Sequence, residues 1–154
     1  MMPKQSAGVL LFRRISDELQ VLLVHPGGPF FTNKDAGVWS IPKGEFLENE
    51  DALEAAKREF AEETGFEVNG NFIPLSAIKQ KSGKTVYAWA LSGDIDASKI
   101  RSNLFEMEWP PKSGKRQSFP EVDRAEWFTI DKASIKIIAG QVSFLEQLSA
   151  TDPL

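Results

Sequence analysis

Three glutamates at the end of a helix-period segment constrain this chain more than any other feature of it. From Asn49 onward, Ala52, Leu53, Ala56 and Phe60 recur at three- and four-residue spacing, the mark of a helix with one apolar stripe. Asn49 is the expected N-cap, Glu50 and Asp51 suit the first turn, and Gly65 is the expected stop. Eight of the chain's 22 acids lie between Gly44 and Phe66, where an even spread would place roughly three. The positive end of the helix dipole accounts for Glu48, Glu50, Asp51 and Glu54 near the helix start. It works against Glu59, Glu62 and Glu63, which fall in the last two turns, where each acid costs a few tenths of a kcal/mol up to about 1.

At ~100° per residue, Glu59 and Glu63 lie ~40° apart, and Glu62 lies ~60° from Glu59 on its other side. All three therefore leave the helix from one face. Two such charges ~5 Å apart repel by about 3 kcal/mol at an effective dielectric of about 20. Arg58 reaches Glu62 at i, i+4, but one cation does not satisfy three carboxylates. A hard divalent cation does, and oxygen-only ligands point to Mg²⁺, with Mn²⁺ as a substitute. Mg²⁺ held by a few carboxylates completes its shell with water and substrate phosphate, so a phosphoanhydride substrate is the chemical expectation.

Composition closes other routes to hard chemistry. Cysteine is absent, which removes disulfide scaffolds, thiolate zinc sites and cysteine nucleophiles, and a single histidine, His25, removes poly-histidine metal sites. A net charge of −4 argues against a general DNA or RNA binder. No stretch approaches the ~18 consecutive apolar residues of a membrane span. The opening residues Met1 to Ser6 carry no signal-peptide apolar run, so a cytoplasmic address is expected.

A length of 154 residues suits one domain, 1–154. The runs Ala7–Phe12 and Leu19–Val24, separated by Ser16-Asp17-Glu18, read as a hairpin or as neighbouring strands. Prolines and glycines between Pro26 and Gly44 make regular structure unlikely there. Strands are expected at Phe72–Ile78, Val86–Leu91, Leu104–Trp109 and Ala125–Phe128, a basic loop over 109–117, and helices over Asp131–Ala139 and Val142–Leu148. The pattern is that of an α/β domain. Met1-Met2 and the C-terminal Thr151-Asp152-Pro153-Leu154 carry no functional signal.

The helix segment can also be read as Gly44, five residues, Glu50, seven residues, then Arg58-Glu59-Phe60-Ala61-Glu62-Glu63-Thr64-Gly65-Phe66. It resembles the Nudix box, G-x5-E-x7-R-E-U-x-E-E-x-G-U with U a bulky apolar residue, at every specified position. The resemblance implies a Nudix-like α/β/α sandwich with a mixed β-sheet between helices. It also implies Mg²⁺-dependent hydrolysis of a nucleoside diphosphate linked to another group. On that resemblance Glu59, Glu62 and Glu63 are metal ligands, Glu59 doubles as the base for water, and the Lys43 carbonyl is a further ligand. Arg58 and Glu50 orient the carboxylates, Gly44 permits the tight loop, and Gly65 permits the helix exit. A homodimer is a common arrangement in the family.

Many members recruit an acid from outside the box. Glu121, Asp123, Glu106 and Glu108 are candidates, and Glu121 is preferred because its loop leads into the last strand. Trp39-Ser40-Ile41-Pro42-Lys43-Gly44 resembles the lead-in of diadenosine polyphosphate and diphosphoinositol polyphosphate hydrolases. That makes a dinucleoside polyphosphate, diadenosine tetraphosphate, the leading substrate. The alternatives are diphosphoinositol polyphosphates, nucleoside triphosphates, 5′-triphosphate RNA and, in another class, non-catalytic nucleotide sensing. The Lys43 side chain could meet a substrate phosphate, and Lys112, Lys115 and Arg116 could clamp distal phosphates, with solvated loops as the plain alternative. Phe30, Phe31, Trp39, Tyr87 and Trp109 could stack on a base, although core packing is the commoner role. For His25 a hydrogen bond at a strand end is expected rather than catalysis.

Overall fold

The runs Ala7–Phe12 and Leu19–Val24 are apolar at consecutive positions, and strands of that kind must be covered on both faces. In the computed structural model, which describes residues 4–151, they form β1 (Gln5–Ile15) and β2 (Glu18–Pro26), an antiparallel hairpin. Its turn residues Ser16 and Asp17 both have positive φ, the two-residue geometry that matches strand twist. The termini 1–3 and 152–154 lie outside the described residues, and with them Met1-Met2 and most of the C-terminal segment.

Side chains alternate between two layers. Val9, Leu11, Leu22 and Val24 pack with Ala55, Ala56 and Phe60 of α1 (Ala52–Thr64). Leu10, Val21 and Leu23 face the opposite way, against α2 (Ile130–Lys136) and α3 (Val142–Thr151) through Ala133, Phe144, Leu145 and Leu148. The sheet between them is mixed. It runs β4 (Ile73–Pro74), β6 (Thr85–Ser92), β1, β2, β9 (Val122–Thr129), with β1 and β6 parallel and β3 (Lys43–Glu45) and β5 (Ile78–Lys79) added at its side. This is the expected α/β/α sandwich with a mixed sheet.

Several expected boundaries move, each for a local reason. The N-cap of α1 is Asp51, whose carboxylate accepts the Glu54 N–H at 3.0 Å, not Asn49, so Glu50 stands outside the helix. The expected strand Phe72–Ile78 is two short pieces, β4 and β5, because Pro74 lacks a donor and the Gln147 side chain takes both polar groups of the Ser76 backbone. The basic loop is the turn of a second, two-stranded sheet: β7 (Leu104–Glu108) pairs with β8 (Arg116–Pro120). Helix α2 ends at Lys136 rather than Ala139, because the backbone of Trp39 donates to Lys136 and accepts from Ile138, drawing the chain out of the helix. Inside the region expected to be irregular, Lys43–Glu45 is a strand, paired to β1.

Phe60 is fully buried in the layer that seats α1 on the sheet. Truncating it leaves a cavity, so Phe60→Ala is expected to lower stability by about 3–5 kcal/mol in urea unfolding. A loss below about 1 kcal/mol would mean that α1 is not anchored through this side chain.

Candidate active site

The lead-in to the site is held by buried groups. Trp39 is in the core, with edge contacts to His25 and Phe128 and its indole N–H on Asp35 at 2.8 Å. Buried Gln141 accepts the Ile41 N–H and donates to the Ser40 hydroxyl, both at 3.1 Å, and Val9 donates to the Pro42 carbonyl. The chain is thereby delivered into β3, where Gly44 lies in register with Ala7, whose side chain belongs to the α1 layer. A Cβ on Gly44 would collide with the carboxylate of Glu59. Gly44 is thus required for close approach of a carboxylate to a strand, not for a tight loop.

Across from β3, the last turns of α1 present the acids. Arg58 holds Glu50 through Nε and Nη2 at 3.1 and 2.9 Å, Glu59 at 2.9 Å and Glu62 at 3.2 Å. One guanidinium therefore serves more acids than its helical spacing suggests, with Glu50 reaching in from outside the helix. Glu63 is excluded from that network and accepts the backbone N–H of Lys43 at 3.2 Å. Gly65, in the left-handed region at φ 80°, ends the helix. The carbonyls of Glu62 and Thr64 are taken by the N–H groups of Asn103 and Arg101, and the Asn103 carbonyl accepts the N–H of Glu121. A distant segment is thereby laid across the helix end, bringing Glu121 to the site.

The result is a polar cavity of about 430 Å³ lined by Glu45, Glu59, Glu62, Glu63 and Glu121, with Lys43, Lys84, Ser6, Gly44 and Asn103. Five carboxylates face two lysines, and with Arg58 behind them the site is still two cations short. Burial, opposed in part by the Lys43 N–H, pushes the Glu63 carboxyl up to about 8. Burial and the neighbouring Glu62 also raise Glu59, and burial, with Lys84 nearby, lowers Lys43. Among the described residues no three acidic or histidine side chains are already gathered into a metal cage. The donor set nevertheless fits a hard divalent cation: oxygens alone, an excess of negative charge, and two carboxyls held above their ordinary range by burial and by neighbouring acids.

An apolar cleft of about 310 Å³ adjoins this cavity, lined by Val24, Phe31, Val38, Ile41, Val122 and Ile138 among others, and sharing Lys43, Glu63 and Glu121 with it. Of the aromatic candidates Phe31 alone lines the cleft; Phe30 packs edge-on against Trp109, Tyr87 against Phe46, and Trp39 is core. Lys112, Lys115 and Arg116 stand on the β7–β8 hairpin and line neither space. Asp123 is engaged by His25 Nδ1 at 2.7 Å, and Glu108 accepts the N–H groups of Lys112 and Gly114 at the hairpin turn. Glu106 lies on β7 opposite Ser118. His25 itself bridges Asp123 and the Lys34 carbonyl at the end of β2. Lys84, Glu45, Ser6 and Asn103 are lining residues that the sequence pattern did not single out. Glu45 follows Gly44 directly, but the other three reach the cavity through sheet register and long-range backbone pairing.

The displaced Glu63 carboxyl has a consequence for metal-free protein. A carboxyl near 4.5 when unfolded and about 8 when folded contributes stability that is whole below pH 4.5 and lost as the pH rises through about 8. In the presence of EDTA, stability is expected to fall by on the order of 3 kcal/mol between pH 5 and pH 8.5. Glu63→Gln should flatten that fall; an equal fall in the variant would place its source elsewhere.

Comparison with known proteins bears on the family and the fold. The NUDIX domain family model matches residues 2–148. No curated protein matches the chain. Among solved structures, the binary complex of a C. elegans Ap4A hydrolase is 22% identical, with 96% of each chain covered and a TM-score of 0.64. The NUDIX domain of Shewanella oneidensis NrtR, complexed with ADP ribose, is 17% identical over 97% of this chain and 88% of that one, with a TM-score of 0.67. A mutT/nudix family protein from Listeria innocua is 17% identical over 97% and 94%, at 0.63. At these identities the likeness is one of fold, while the family model spans nearly the whole chain. The chain belongs to the NUDIX domain family, as a hydrolase of nucleoside diphosphate-linked substrates in a family that generally uses divalent metal ions.

Proposed function

We propose that this chain, acting as one domain over 1–154, hydrolyses a phosphoanhydride bond of a dinucleoside polyphosphate, with diadenosine tetraphosphate the leading substrate. The observation that carries the reading is the sharing of Lys43, Glu63 and Glu121 between the apolar cleft and the acidic cavity, which lets a base and its phosphates be held side by side. In this reading the base lies in the cleft beside Phe31. Glu59, Glu62, Glu63, Glu121 and the Lys43 carbonyl hold Mg²⁺, or Mn²⁺ in its place. When bound, the metal supplies neutralising charge at the phosphoanhydride oxygens. Arg58, with Glu50, fixes the directions of Glu59 and Glu62. Glu59, raised by burial and by Glu62, has the basicity to take a proton from the attacking water. The Lys43 ammonium faces the substrate phosphates. Lys112, Lys115 and Arg116 would join only with movement of the β7–β8 hairpin toward the cavity. No helix among the described residues is long and apolar enough to cross a membrane.

A second reading is a nucleotide sensor that binds without cleaving, favoured by one observation: the S. oneidensis NrtR NUDIX domain was seen with ADP ribose. The intact acids at Glu59, Glu62 and Glu63 favour the enzyme.

Incubation with Mg²⁺ and diadenosine tetraphosphate, next to nucleoside triphosphates, ADP-ribose, a diphosphoinositol polyphosphate and 5′-triphosphate RNA, tests the reading by chromatography of products. ATP plus AMP, formed faster than any other product pair, is expected. Glu62→Gln should lower kcat/KM by more than about 100-fold, beyond the ~10–100-fold typical of residues that only orient a ligand, while melting at the same temperature or higher. Tight nucleotide binding with no turnover across the panel would hand the site to the sensor reading.

A further inference from the structure

One wall of the apolar cleft comes from a segment without helix or strand. Pro26 ends β2, and Phe31, Gly37 and Val38 follow on the turns that lead to Trp39. Backbone bonds fasten the two ends of this segment: the Gly27 N–H donates to the Glu121 carbonyl at 2.9 Å, and the Gly37 N–H to the Lys136 carbonyl at 2.9 Å. Close to the second of these, the Asp35 carboxylate accepts from the Trp39 indole and pairs with Lys136. The middle is bonded largely to itself. The Phe31 N–H donates to the Gly28 carbonyl at 3.4 Å, the Lys34 N–H to the Phe31 carbonyl at 3.0 Å, and the Thr32 hydroxyl to the Gly28 carbonyl at 3.3 Å. Among the described residues, the hydrogen bond that ties 28–34 to the body of the domain is the one between His25 Nε2 and the Lys34 carbonyl, at 2.7 Å.

His25 is held where it makes that bond. It is buried near the end of β2, with its ring in T-shaped contact with Trp39 at 5.2 Å. Strand β9 bulges beside it: His25 stands opposite Arg124 and Pro26 opposite Val122, so Asp123 is left without an opposite residue. The Asp123 carboxylate meets His25 Nδ1 at 2.7 Å, and the Lys34 carbonyl, which only accepts, makes Nε2 a donor. The two bonds differ in what they hold. The one to Asp123 joins β2 to β9, which their ladder from Gln20 to Pro26 already joins. The one to Lys34 joins β2 to the cleft wall, and the Lys34 N–H carries the constraint on to the carbonyl of Phe31.

We propose that His25 is a positioning residue of the cleft: by holding the Lys34 carbonyl it fixes Phe31 as the wall against which the substrate's base packs. The proposal rests on the reading above that puts the base in this cleft, and deepens it by naming what makes an irregular wall stay in place. His25 lines neither the cleft nor the acidic cavity, so it touches neither base nor phosphates and acts through Phe31. Its effect falls on binding of the nucleoside and not on the bond-breaking step.

Two variants separate the bonds of His25. Counted from the backbone, an Asn amide nitrogen falls at the position of Nδ1 and a Gln amide nitrogen at that of Nε2. His25→Asn therefore keeps the Asp123 bond and loses the Lys34 bond, and His25→Gln does the reverse. The probes are α,β-methylene-ADP, which carries a base, and methylenediphosphonate, the same bridged anion without a nucleoside, each titrated calorimetrically with Mg²⁺ present. His25→Asn should weaken binding of the nucleotide about tenfold and of the diphosphonate less than about threefold, whereas His25→Gln should hold both within about threefold. Adding His25→Asn to Phe31→Ala should cost less than about threefold beyond Phe31→Ala alone, because the two act through one contact. With diadenosine tetraphosphate, His25→Asn should raise KM about tenfold and leave kcat within about threefold. Equal losses in the Asn and Gln variants, a loss as large on the diphosphonate, or full additivity with Phe31→Ala would overturn the positioning role. Where His25→Asn does not fold, a loss of nucleotide binding of about tenfold in folded His25→Gln overturns it equally. A wild type that binds the nucleotide no tighter than the diphosphonate would remove the base from the cleft and the proposal with it. Loss of nucleotide binding in His25→Asn alone, without turnover of diadenosine tetraphosphate by the wild type, would uphold the positioning role and remove the substrate reading instead.

Discussion

The structure depends on an unfavourable arrangement of charge: Glu59, Glu62 and Glu63 at the negative end of α1, two of them displaced above the ordinary carboxylate range. Nothing local favours it. Helix α1 has no basic residue in its last turn, and the single nearby guanidinium is divided among Glu50, Glu59 and Glu62. Glu63 is left with one backbone N–H. Such a cluster persists because tertiary packing carries the helix: Ala55, Ala56 and Phe60 are fully buried against β1 and β2, and that burial outweighs repulsion of a few kcal/mol at one end.

The rest of the fold serves to bring partners to that end. The double-faced core fixes the hairpin β1–β2, and β1 carries β3, so Gly44 sits where the Glu59 carboxylate needs an open strand. The buried Trp39 and Gln141 hold the lead-in from the other layer. At the far side, the free carbonyls of α1 are satisfied by Arg101 and Asn103, and the same ladder of backbone bonds presents Glu121. Helix capping and site assembly are thus one set of interactions. The apolar cleft and the acidic cavity meet at Lys43, Glu63 and Glu121 for the same reason.

Much of this was legible in the chain because it is written in short-range spacing. The helical period of Ala52, Ala56 and Phe60, the acids at Glu59, Glu62 and Glu63, and the consecutive apolar runs of β1 and β2 need no knowledge of distant contacts. Gly65 as the helix stop is equally local. What escaped was set by pairing. Asp51 displaces Asn49 as the cap because the Asp51 carboxylate, and not the Asn49 side-chain amide, accepts the Glu54 N–H. Strand β8 carries Arg116-Gln117-Ser118, which has no β-like pattern, and is a strand through its register with β7. Lys84 and Ser6 reach the cavity through the alignment of β1 with β3 and β6, which no local pattern specifies. The basic residues Lys112, Lys115 and Arg116, conspicuous in sequence, lie on a hairpin away from both spaces.

The central claim is that the carboxylate cluster is built for a divalent cation and in its absence holds a proton on Glu63 near neutral pH. The most direct measurement is calorimetric titration of Mg²⁺ into metal-free protein at pH 7 in two buffers of different ionisation enthalpy, which counts protons exchanged on binding. Because ligating carboxylates must be deprotonated, the account predicts release of about one proton per cluster filled, reduced toward zero in Glu63→Gln. Binding without proton release, or no Mg²⁺ binding at all, would contradict it.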